Sequence, residues 1–195
     1  MPEQLTHVHW NARYRDRRPD DERPADVLAW HAYLLPRSGQ ALDVAAGMAA
    51  NAICLAGHGM EAEAWDVSDV AVAAVNRFAR ERRLPLTARI RDVAARPPAP
   101  ASLDVITVSR FLHRPLCTAL SAALRPGGLI FYQTFTRMKV NDSGPSNPDF
   151  LLEDGELLRL FPDLDPVIYR EERDLGDLSS GLRDQAMLVA KKAGA

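Results

Sequence analysis

Cysteine is scarce in this chain, with only Cys54 and Cys117 among its 195 residues. Both lie in apolar, helix-like stretches, and no C-x-x-C or cysteine–histidine spacing occurs, so we expect neither a disulfide framework nor a metal site. Lysine is also rare, and the formal net charge is -2. The chain therefore lacks the basic face that nucleic-acid binding normally needs, and no nucleic-acid partner is expected.

Long hydrophobic runs are missing as well, and none approaches the roughly 20 residues of a membrane span. The first residues, MPEQLTHVHW, lack the basic and apolar segments of a signal peptide. We therefore expect a cytoplasmic protein that does not contact a membrane. With 47% hydrophobic and 26% charged residues, the composition is typical of a soluble globular protein, and the length fits one domain.

Strand-like and helix-like segments alternate along the chain. The strand-like runs are 41–46, 61–67, 86–93, 103–109, 129–135, 167–174 and 185–192. The helix-like segments are 49–58, about 115–124 and about 153–161. Another helix begins at a cap formed by Ser68 or Asp69, and a further one, ahead of the first strand, has Pro24 near its start. This alternation predicts an α/β fold with a mainly parallel sheet, helices on both faces and 103–109 as a central strand.

The expected site follows from this topology, because ligands of such sheets bind at the carboxyl ends of the strands near the switch point. The first strand, turn and helix have the layout of a nucleotide-binding site, yet the G-x-G-x-x-G glycines are missing. Only Gly47 remains, and Asp43 precedes the turn. A carboxylate there would repel a pyrophosphate but suits S-adenosylmethionine, which has no phosphate and carries a sulfonium and an ammonium group. The residues therefore favour S-adenosylmethionine over NAD.

Two more aspartates follow the next two predicted strands. Asp66 ends the second strand, where an acidic side chain can accept both hydroxyls of a ribose. Asp92 ends the third, where it could accept a hydrogen bond from an adenine amino group beside the N–H of Val93. Each aspartate alone could equally be a helix cap or a surface residue. Three at the ends of three successive strands favour a common binding site.

With these residues in view, the chain resembles class I methyltransferases of the small tellurite-resistance type. Their pattern runs roughly L-D-V-A-C-G-x-G-R-N-A…L-A…G…V…D-x-S, and LDVAAGMAANAICLAGHGMEAEAWDVS (42–68) matches it. The match extends to 91–93, 103–116, 124–135 and 144–152, and HWNARY (9–14) is similar to the segment that precedes the domain in this family.

The resemblance implies a three-layer Rossmann-like methyltransferase fold. Its sheet would be seven-stranded and mostly parallel, with one antiparallel strand near the C-terminus and helices on both faces. It implies a single domain over 1–195, in which 1–38 form an N-terminal helical cap and 39–195 form the Rossmann-like core. The cofactor would be S-adenosylmethionine, and the product S-adenosylhomocysteine.

The resemblance also implies a set of cofactor-binding residues. They are Trp10, Arg13, Tyr14, Asp43, Ala45, Ala46, Gly47, Asp66, Val67, Asp92, Val93, Ser109 and Arg110. Asp43 and Gly47 would hold the methionine part, Asp66 the ribose, and Asp92 with Val93 the adenine. The residues of HWNARY would close over the site. The alternative for that segment is a helix that packs Trp10 and Tyr14 onto the body and leaves Arg13 in solvent.

Two departures from the family pattern lie in the turn after the first strand. Alanine occupies the position of the third glycine, at Ala49, and the position of the following arginine, at Ala50. The Ala49 methyl narrows the space near the cofactor and disfavours a left-handed turn. This motivates an alternative function, a catalytically degenerate protein that binds S-adenosylmethionine or S-adenosylhomocysteine as a sensor or partner.

Methyl transfer needs chiefly the alignment of acceptor, carbon and leaving sulfur, so no metal or covalent nucleophile is expected. A thiolate, selenide or telluride acceptor would need no base, whereas other acceptors would use His113 as the candidate base. Arg110 and Arg114 could attract an anionic substrate, although such residues at a helix start are commonly surface or capping residues. The loop 144–150 is either a lid or a plain crossover.

The favoured function is thus a methyltransferase acting on a small-molecule acceptor, with thiol, selenium and tellurium compounds as candidates. The residues after the fourth strand read Ser109-Arg110-Phe111-Leu112, not the (Asp/Asn)-Pro-Pro-(Tyr/Phe) of nucleobase methylation. An NAD-dependent oxidoreductase is motivated only by the alternating fold. The sequence leaves the acceptor unidentified and is compatible with a monomer or a homodimer.

Overall fold

A seven-stranded sheet forms the centre of this computed structural model, which describes the backbone of residues 2–194 and the side chains of 7–194. The strands are β1 (Gln40–Val44), β2 (Glu61–Asp66), β3 (Leu86–Ile90), β4 (Leu103–Ser109), β5 (Leu124–Phe135), β6 (Leu164–Arg170) and β7 (Gln185–Lys192). Their spatial order is β3-β2-β1-β4-β5-β7-β6. Strand β7 pairs antiparallel with β5 and β6, and the remaining pairs are parallel. The predicted sheet is therefore confirmed.

Helices cover both faces of this sheet. They are α1 (Pro2–Tyr14), α2 (Asp26–His31), α3 (Ala50–Gly57), α4 (Asp69–Arg82), α5 (Leu116–Ala123) and α6 (Glu156–Arg159), with 3₁₀ turns at Pro19–Asp21, Ala32–Leu34 and Pro148–Phe150. Ser68 caps α4, since its hydroxyl accepts a hydrogen bond from the Ala71 N–H. Within the described residues, no helix is long and apolar enough to cross a bilayer.

Two hydrophobic cores lie between these layers because successive residues of a strand face opposite sides. Ala41 of β1 packs with residues of α2, α3 and α4, whereas Leu42 packs with residues of α5 and α6. Strand β4 is the fourth of the seven, and its residues 105–108 are buried. Its position as a central strand, predicted from its β-branched composition, is confirmed.

Strand β6 covers Leu164–Arg170 and not 167–174, and three further boundaries differ for a local reason. Strand β3 ends at Ile90 and not at residue 93, because the Asp92 side chain accepts N–H groups of the next turn and diverts the chain. Strand β5 begins at Leu124, and its pairing with β4 skips the Pro-Gly-Gly stretch. Helix α6 has only four residues, since Gly155 precedes it in a left-handed conformation and Pro162 follows soon after.

Candidate active site

The carboxyl ends of β1, β2 and β4 meet at one edge of the sheet, because β1 pairs in parallel with β2 on one side and with β4 on the other. The chain order reverses between β1 and β4, which makes this edge the switch point. It gathers Asp43 of β1, Asp66 at the end of β2 and Ser109 at the end of β4. The fold thus brings together residues that are far apart in the sequence.

The turn after β1 is left-handed at three positions, Ala45 (φ 51°), Gly47 (φ 53°) and Ala49 (φ 59°). This conformation costs a residue that has a Cβ atom about 1–2 kcal/mol. The turn forms nevertheless, because the Ala46 N–H donates to the Trp65 carbonyl at 3.0 Å and the Ala49 N–H to the Ala46 carbonyl at 2.7 Å. The turn therefore keeps its shape with strained alanines at Ala45 and at Ala49, of which Ala49 occupies a glycine position of the family pattern.

Asp43 lies beneath this turn and is completely buried. Its carboxylate accepts hydrogen bonds from Asn51 Nδ2 (3.1 Å), Thr107 Oγ1 (2.9 Å) and the Ala52 N–H (3.2 Å). Burial raises the pKa of Asp43 to about 7, although these hydrogen bonds oppose the rise. The carboxylate fixes the start of α3 from inside, so any effect on a bound cation would act through its charge and not through direct contact.

Asn51 is a central residue of the site to which sequence reasoning gave no role. Its Nδ2 donates to Asp43 Oδ1 and Ser109 Oγ, both at 3.1 Å, and its Oδ1 accepts from the Ala25 N–H at 2.9 Å. One side chain thereby joins β1, β4 and the segment before α2. The family pattern has asparagine at this position, but Ser109 is 58 residues away, so local sequence gives no sign of the contact.

Asp66 lies directly beside the turn and is almost completely buried. It accepts hydrogen bonds from the Gly47 N–H at 2.7 Å and the Ser68 N–H at 2.8 Å. Burial raises the pKa of Asp66, and the N–H groups of Ser68, Gly47 and Val67 oppose the rise. A Cβ atom added to Gly47 would lie 2.6 Å from Tyr14 Oη, so only glycine leaves room for this approach.

Asn11 joins helix α1 to the start of α4. Asn11 Nδ2 donates to Asp69 Oδ1, and Ser68 Oγ donates to Asn11 Oδ1, both at 2.6 Å. Because Ser68 also follows Asp66 closely in the chain, this contact places the end of α1 over the candidate site.

Trp10, Arg13 and Tyr14, the residues of HWNARY that were predicted to close over the site, do not all lie at the site. Tyr14 lies against Gly47 and stacks on Trp10, with ring centres 5.7 Å apart. Arg13 is exposed, and its guanidinium lies 5.6 Å from the centre of the Trp10 ring. The segment is a helix that packs its aromatic residues on the body and leaves Arg13 in solvent, while Tyr14 does reach the site.

The Asp92 side chain stabilises the turn that follows β3, where no helix begins. Its Oδ1 accepts the N–H of Ala94 at 2.9 Å and that of Ala95 at 3.4 Å. The Val93 side chain is buried in the core on the α5 and α6 side. An adenine contact by Asp92 and Val93 stays a prediction.

A cleft of ≈ 260 Å³ opens beside the end of β4. It is lined by residues 22–26 together with Ser109, Arg110, Gln133 and Gln185. Arg110 is left-handed (φ 53°), and its N–H donates to the Gln133 carbonyl at 2.9 Å. A strained non-glycine residue at a cleft is typical of functional sites.

The interpretation of Arg114 as a substrate anchor is wrong. Its guanidinium donates to both carboxylate oxygens of Glu156, at 2.6 and 2.9 Å, and to the carbonyls of Asp149 and Leu151. It therefore holds the end of the loop 144–150, for which a lid and a plain crossover are the two alternatives. His113, the candidate base, is half-buried and lies outside the residues that line the cleft.

The comparisons with known proteins bear on the fold. No protein-family model and no curated protein matches this chain. Among solved structures, geranyl diphosphate C-methyltransferase from Streptomyces coelicolor A3(2), in complex with Mg²⁺, geranyl-S-thiolodiphosphate and S-adenosylhomocysteine, is similar with a TM-score of 0.72 and 14% identity over 99% of each chain.

Two further structures are similar at the same level. TehB from Haemophilus influenzae has a TM-score of 0.67 and 20% identity, covering 86% of this chain and 61% of its own. A SAM-dependent methyltransferase from Methanosarcina mazei has a TM-score of 0.66 and 15% identity, covering 89% of this chain and 100% of its own. This chain thus spans about 61% of the length of TehB. The strand order and these superpositions show that the chain has the fold of class I S-adenosylmethionine-dependent methyltransferases.

Proposed function

We propose that this protein is an S-adenosylmethionine-dependent methyltransferase that acts on a small-molecule acceptor. The observation that supports it best is the pair of buried carboxylates, Asp43 and Asp66, on either side of the Gly47 turn at the switch point. The negative charge of Asp66, to which Asp43 adds its own above its pKa of about 7, disfavours a pyrophosphate and favours a cationic ligand. The absent side chain of Gly47 lets Tyr14 lie directly against the turn.

The residues that would hold the cofactor surround this turn. Asp66 would accept the ribose hydroxyls, Asp92 and Val93 would contact the adenine, and Tyr14 would cover the methionine part. The pKa of Tyr14 is raised, first by burial and then by the charge of Asp66, so its hydroxyl stays protonated and can donate. Residues 1–38 would then act as a cap on the core formed by 39–195, within one domain.

When bound, S-adenosylmethionine supplies an electrophilic methyl carbon, and the acceptor atom displaces its sulfur to give S-adenosylhomocysteine. The protein's own contribution is to align the acceptor and to exclude water. Arg110, which lines the cleft beside Ser109, would orient an acceptor. His113 would act as base only for acceptors that are not already ionised.

Calorimetric titration with S-adenosylmethionine, S-adenosylhomocysteine and NAD tests the cofactor. We expect micromolar binding of both adenosyl ligands and none of NAD. Tight NAD binding would instead support an oxidoreductase, and failure of both adenosyl ligands to bind would refute the proposal.

The ribose site is tested by Asp66→Ala and Asp66→Asn, with exposed Asp163→Ala as the matched control. We expect each Asp66 variant to weaken S-adenosylhomocysteine binding at least tenfold, because hydrogen bonds to a charged acceptor contribute about 1.5–3 kcal/mol. The asparagine variant keeps the shape of the side chain but loses one of the two acceptors that the Gly47 and Ser68 N–H groups use, so urea unfolding of both variants checks that the turn is kept. Unchanged affinity in both variants would show that the ribose lies elsewhere.

A catalytically degenerate S-adenosylmethionine-binding protein is the second candidate, favoured by the strain at Ala45 and Ala49. It predicts binding of both adenosyl ligands without turnover. Formation of S-adenosylhomocysteine with any acceptor of a broad panel, beyond the protein-free rate, would eliminate it.

A further inference from the structure

The cleft beside β4 has walls that are fixed before any acceptor arrives. Gln133 Oε1 accepts the Val27 N–H at 2.7 Å, and Gln133 Nε2 donates to Gln185 Oε1 at 2.9 Å. On the other wall, Asn51 connects the Ala25 N–H to Ser109 Oγ. Hydrogen bonds across both walls therefore hold α2 and its preceding segment against β4, β5 and β7. Such a cleft binds a matching ligand without first having to be ordered.

The polar groups that these walls leave available are mainly donors. Ser109 Oγ accepts from Asn51, so its own hydroxyl hydrogen is free to donate. Gln185 uses its carbonyl oxygen toward Gln133, which leaves its NH₂ group for a ligand. Within the described part of the chain, neither Arg23 nor Arg110 makes a side-chain hydrogen bond or an ion pair, and both are exposed. The cleft thus offers two guanidinium groups, a hydroxyl and an amide NH₂.

The carboxylates of the cleft do not cancel these charges. Glu22 is already paired, since its Oε1 accepts from Arg17 Nη1 at 2.7 Å. Asp26 lies at the first turn of α2 and is the remaining acidic residue of the lining. Its negative charge disfavours ligands that carry several negative charges, such as a diphosphate. One compact anionic group is therefore the best electrostatic match.

We propose that this cleft is the acceptor subsite and that Arg23 and Arg110 recognise a single oxygen anion on the acceptor, either a carboxylate or a small oxyanion. The inference rests on the proposed methyltransferase function and specifies its substrate class. Guanidinium groups bind such anions through paired, charge-assisted hydrogen bonds. Apolar acceptors find little surface here, because most of the lining is polar or charged.

Three thiols that differ in one group test this proposal: mercaptoacetate (anionic), 2-mercaptoethanol (neutral) and cysteamine (cationic). Each is titrated calorimetrically into the protein saturated with S-adenosylhomocysteine, so that binding is measured without turnover. We expect mercaptoacetate to bind at least tenfold more tightly than the other two. Arg23→Gln and Arg110→Gln should each reduce that preference about tenfold, since each removes one charged donor.

Arg18→Gln is the matched control, because Arg18 is exposed, pairs with Asp20 and lies outside the cleft. It should keep the preference for mercaptoacetate. Arg23→Gln should leave the affinity for S-adenosylhomocysteine unchanged, which separates loss of the anion site from loss of the fold or of the cofactor site. Competition with selenite then identifies the anion. If selenite displaces mercaptoacetate, the cleft binds a small inorganic oxyanion; if selenite does not displace it, the cleft binds a carboxylate.

Two results would overturn the inference in distinguishable ways. If S-adenosylhomocysteine binds but the three thiols bind equally, or cysteamine binds most tightly, the anion site is refuted while the proposed function stands. If S-adenosylhomocysteine itself does not bind, the proposed function fails, and the acceptor subsite fails with it.

Discussion

Asp43 shows how one buried residue can connect the stability of the fold to the chemistry of the site. It is completely buried, yet three donors hold its carboxylate in the first turn of α3. Burial disfavours the charged form and raises its pKa to about 7, against the opposing effect of those donors. Near neutral pH the residue is therefore close to the point at which its charge changes.

The free energy of unfolding should consequently depend on pH through Asp43. Because the pKa is higher in the folded than in the unfolded protein, the folded state binds the extra proton, and its stabilising effect is lost as pH rises toward about 7. We expect Asp43 to lower the free energy of unfolding by about 2 kcal/mol between pH 5 and pH 7. Urea unfolding of the wild type and of Asp43→Asn at both pH values measures this contribution.

The difference between the wild type and Asp43→Asn isolates the titration of Asp43. The hydrogen bonds that the asparagine amide cannot make lower the free energy of unfolding by the same amount at both pH values. Equal pH dependence in the wild type and in Asp43→Asn would mean that Asp43 keeps an ordinary pKa.

Among the secondary-structure elements, helix α4 ends at an arginine where helices commonly end at a glycine. Arg83 follows its last turn in the left-handed conformation (φ 54°, ψ 40°), and the Leu84 N–H donates to the Ala79 carbonyl at 2.9 Å. This is a Schellman arrangement, in which glycine is the favoured residue at the Arg83 position.

Replacing Arg83 with glycine should therefore stabilise the protein. Arg83→Gly removes the left-handed strain and should raise the free energy of unfolding by about 1 kcal/mol. Arg77→Gly, at an exposed position in the middle of the same helix, should lower it by about 1 kcal/mol. Chemical denaturation compares the two, and a loss of stability in both would show that the Arg83 side chain has a contact worth more than the strain.

The loop between β5 and α6 is attached at two places. Asp184 accepts the N–H groups of Val140, Asn141 and Ser143, and Arg114 holds the carbonyls of Asp149 and Leu151. Burial alone would raise the pKa of Asp184, but these N–H groups together lower it, which keeps the carboxylate charged. The residues between the two attachments are the part that could still act as a lid.

For the molecule as a whole, we expect cofactor binding and folding to be linked. The site at the switch point is assembled from residues of β1, β2, β4 and α3, so it exists only in the folded chain. A ligand that binds only the folded state at 100 times its Kd stabilises it by about 2.7 kcal/mol. For a chain of this size we expect S-adenosylhomocysteine at that concentration to raise Tm by about 5–10 °C. Thermal unfolding measures this shift in Tm. NAD is the control ligand, and Asp66→Asn is the control protein. An equal shift with NAD would contradict the proposed cofactor.

Much of the architecture could be predicted because it depends on local patterns. The β-branched run of β4 and the alternation of strands with helices require only that apolar side chains be buried on the proper faces. The order of secondary-structure elements also fixed which strand ends would meet. The positions of Asp43 and Asp66 near one turn follow from that order alone.

The contacts that define the site were decided by tertiary structure. Asn51 acquires partners 26 and 58 residues away, and Arg114 becomes a loop anchor because Glu156 lies opposite it. Likewise Arg23 and Arg110 meet at one cleft only after α2 packs on β5. The sequence by itself determined the fold class and predicted a cofactor, since periodicity and residue type are local properties. Which donors are already satisfied and which stay free for a ligand depends on long-range packing, and only the folded chain decides that.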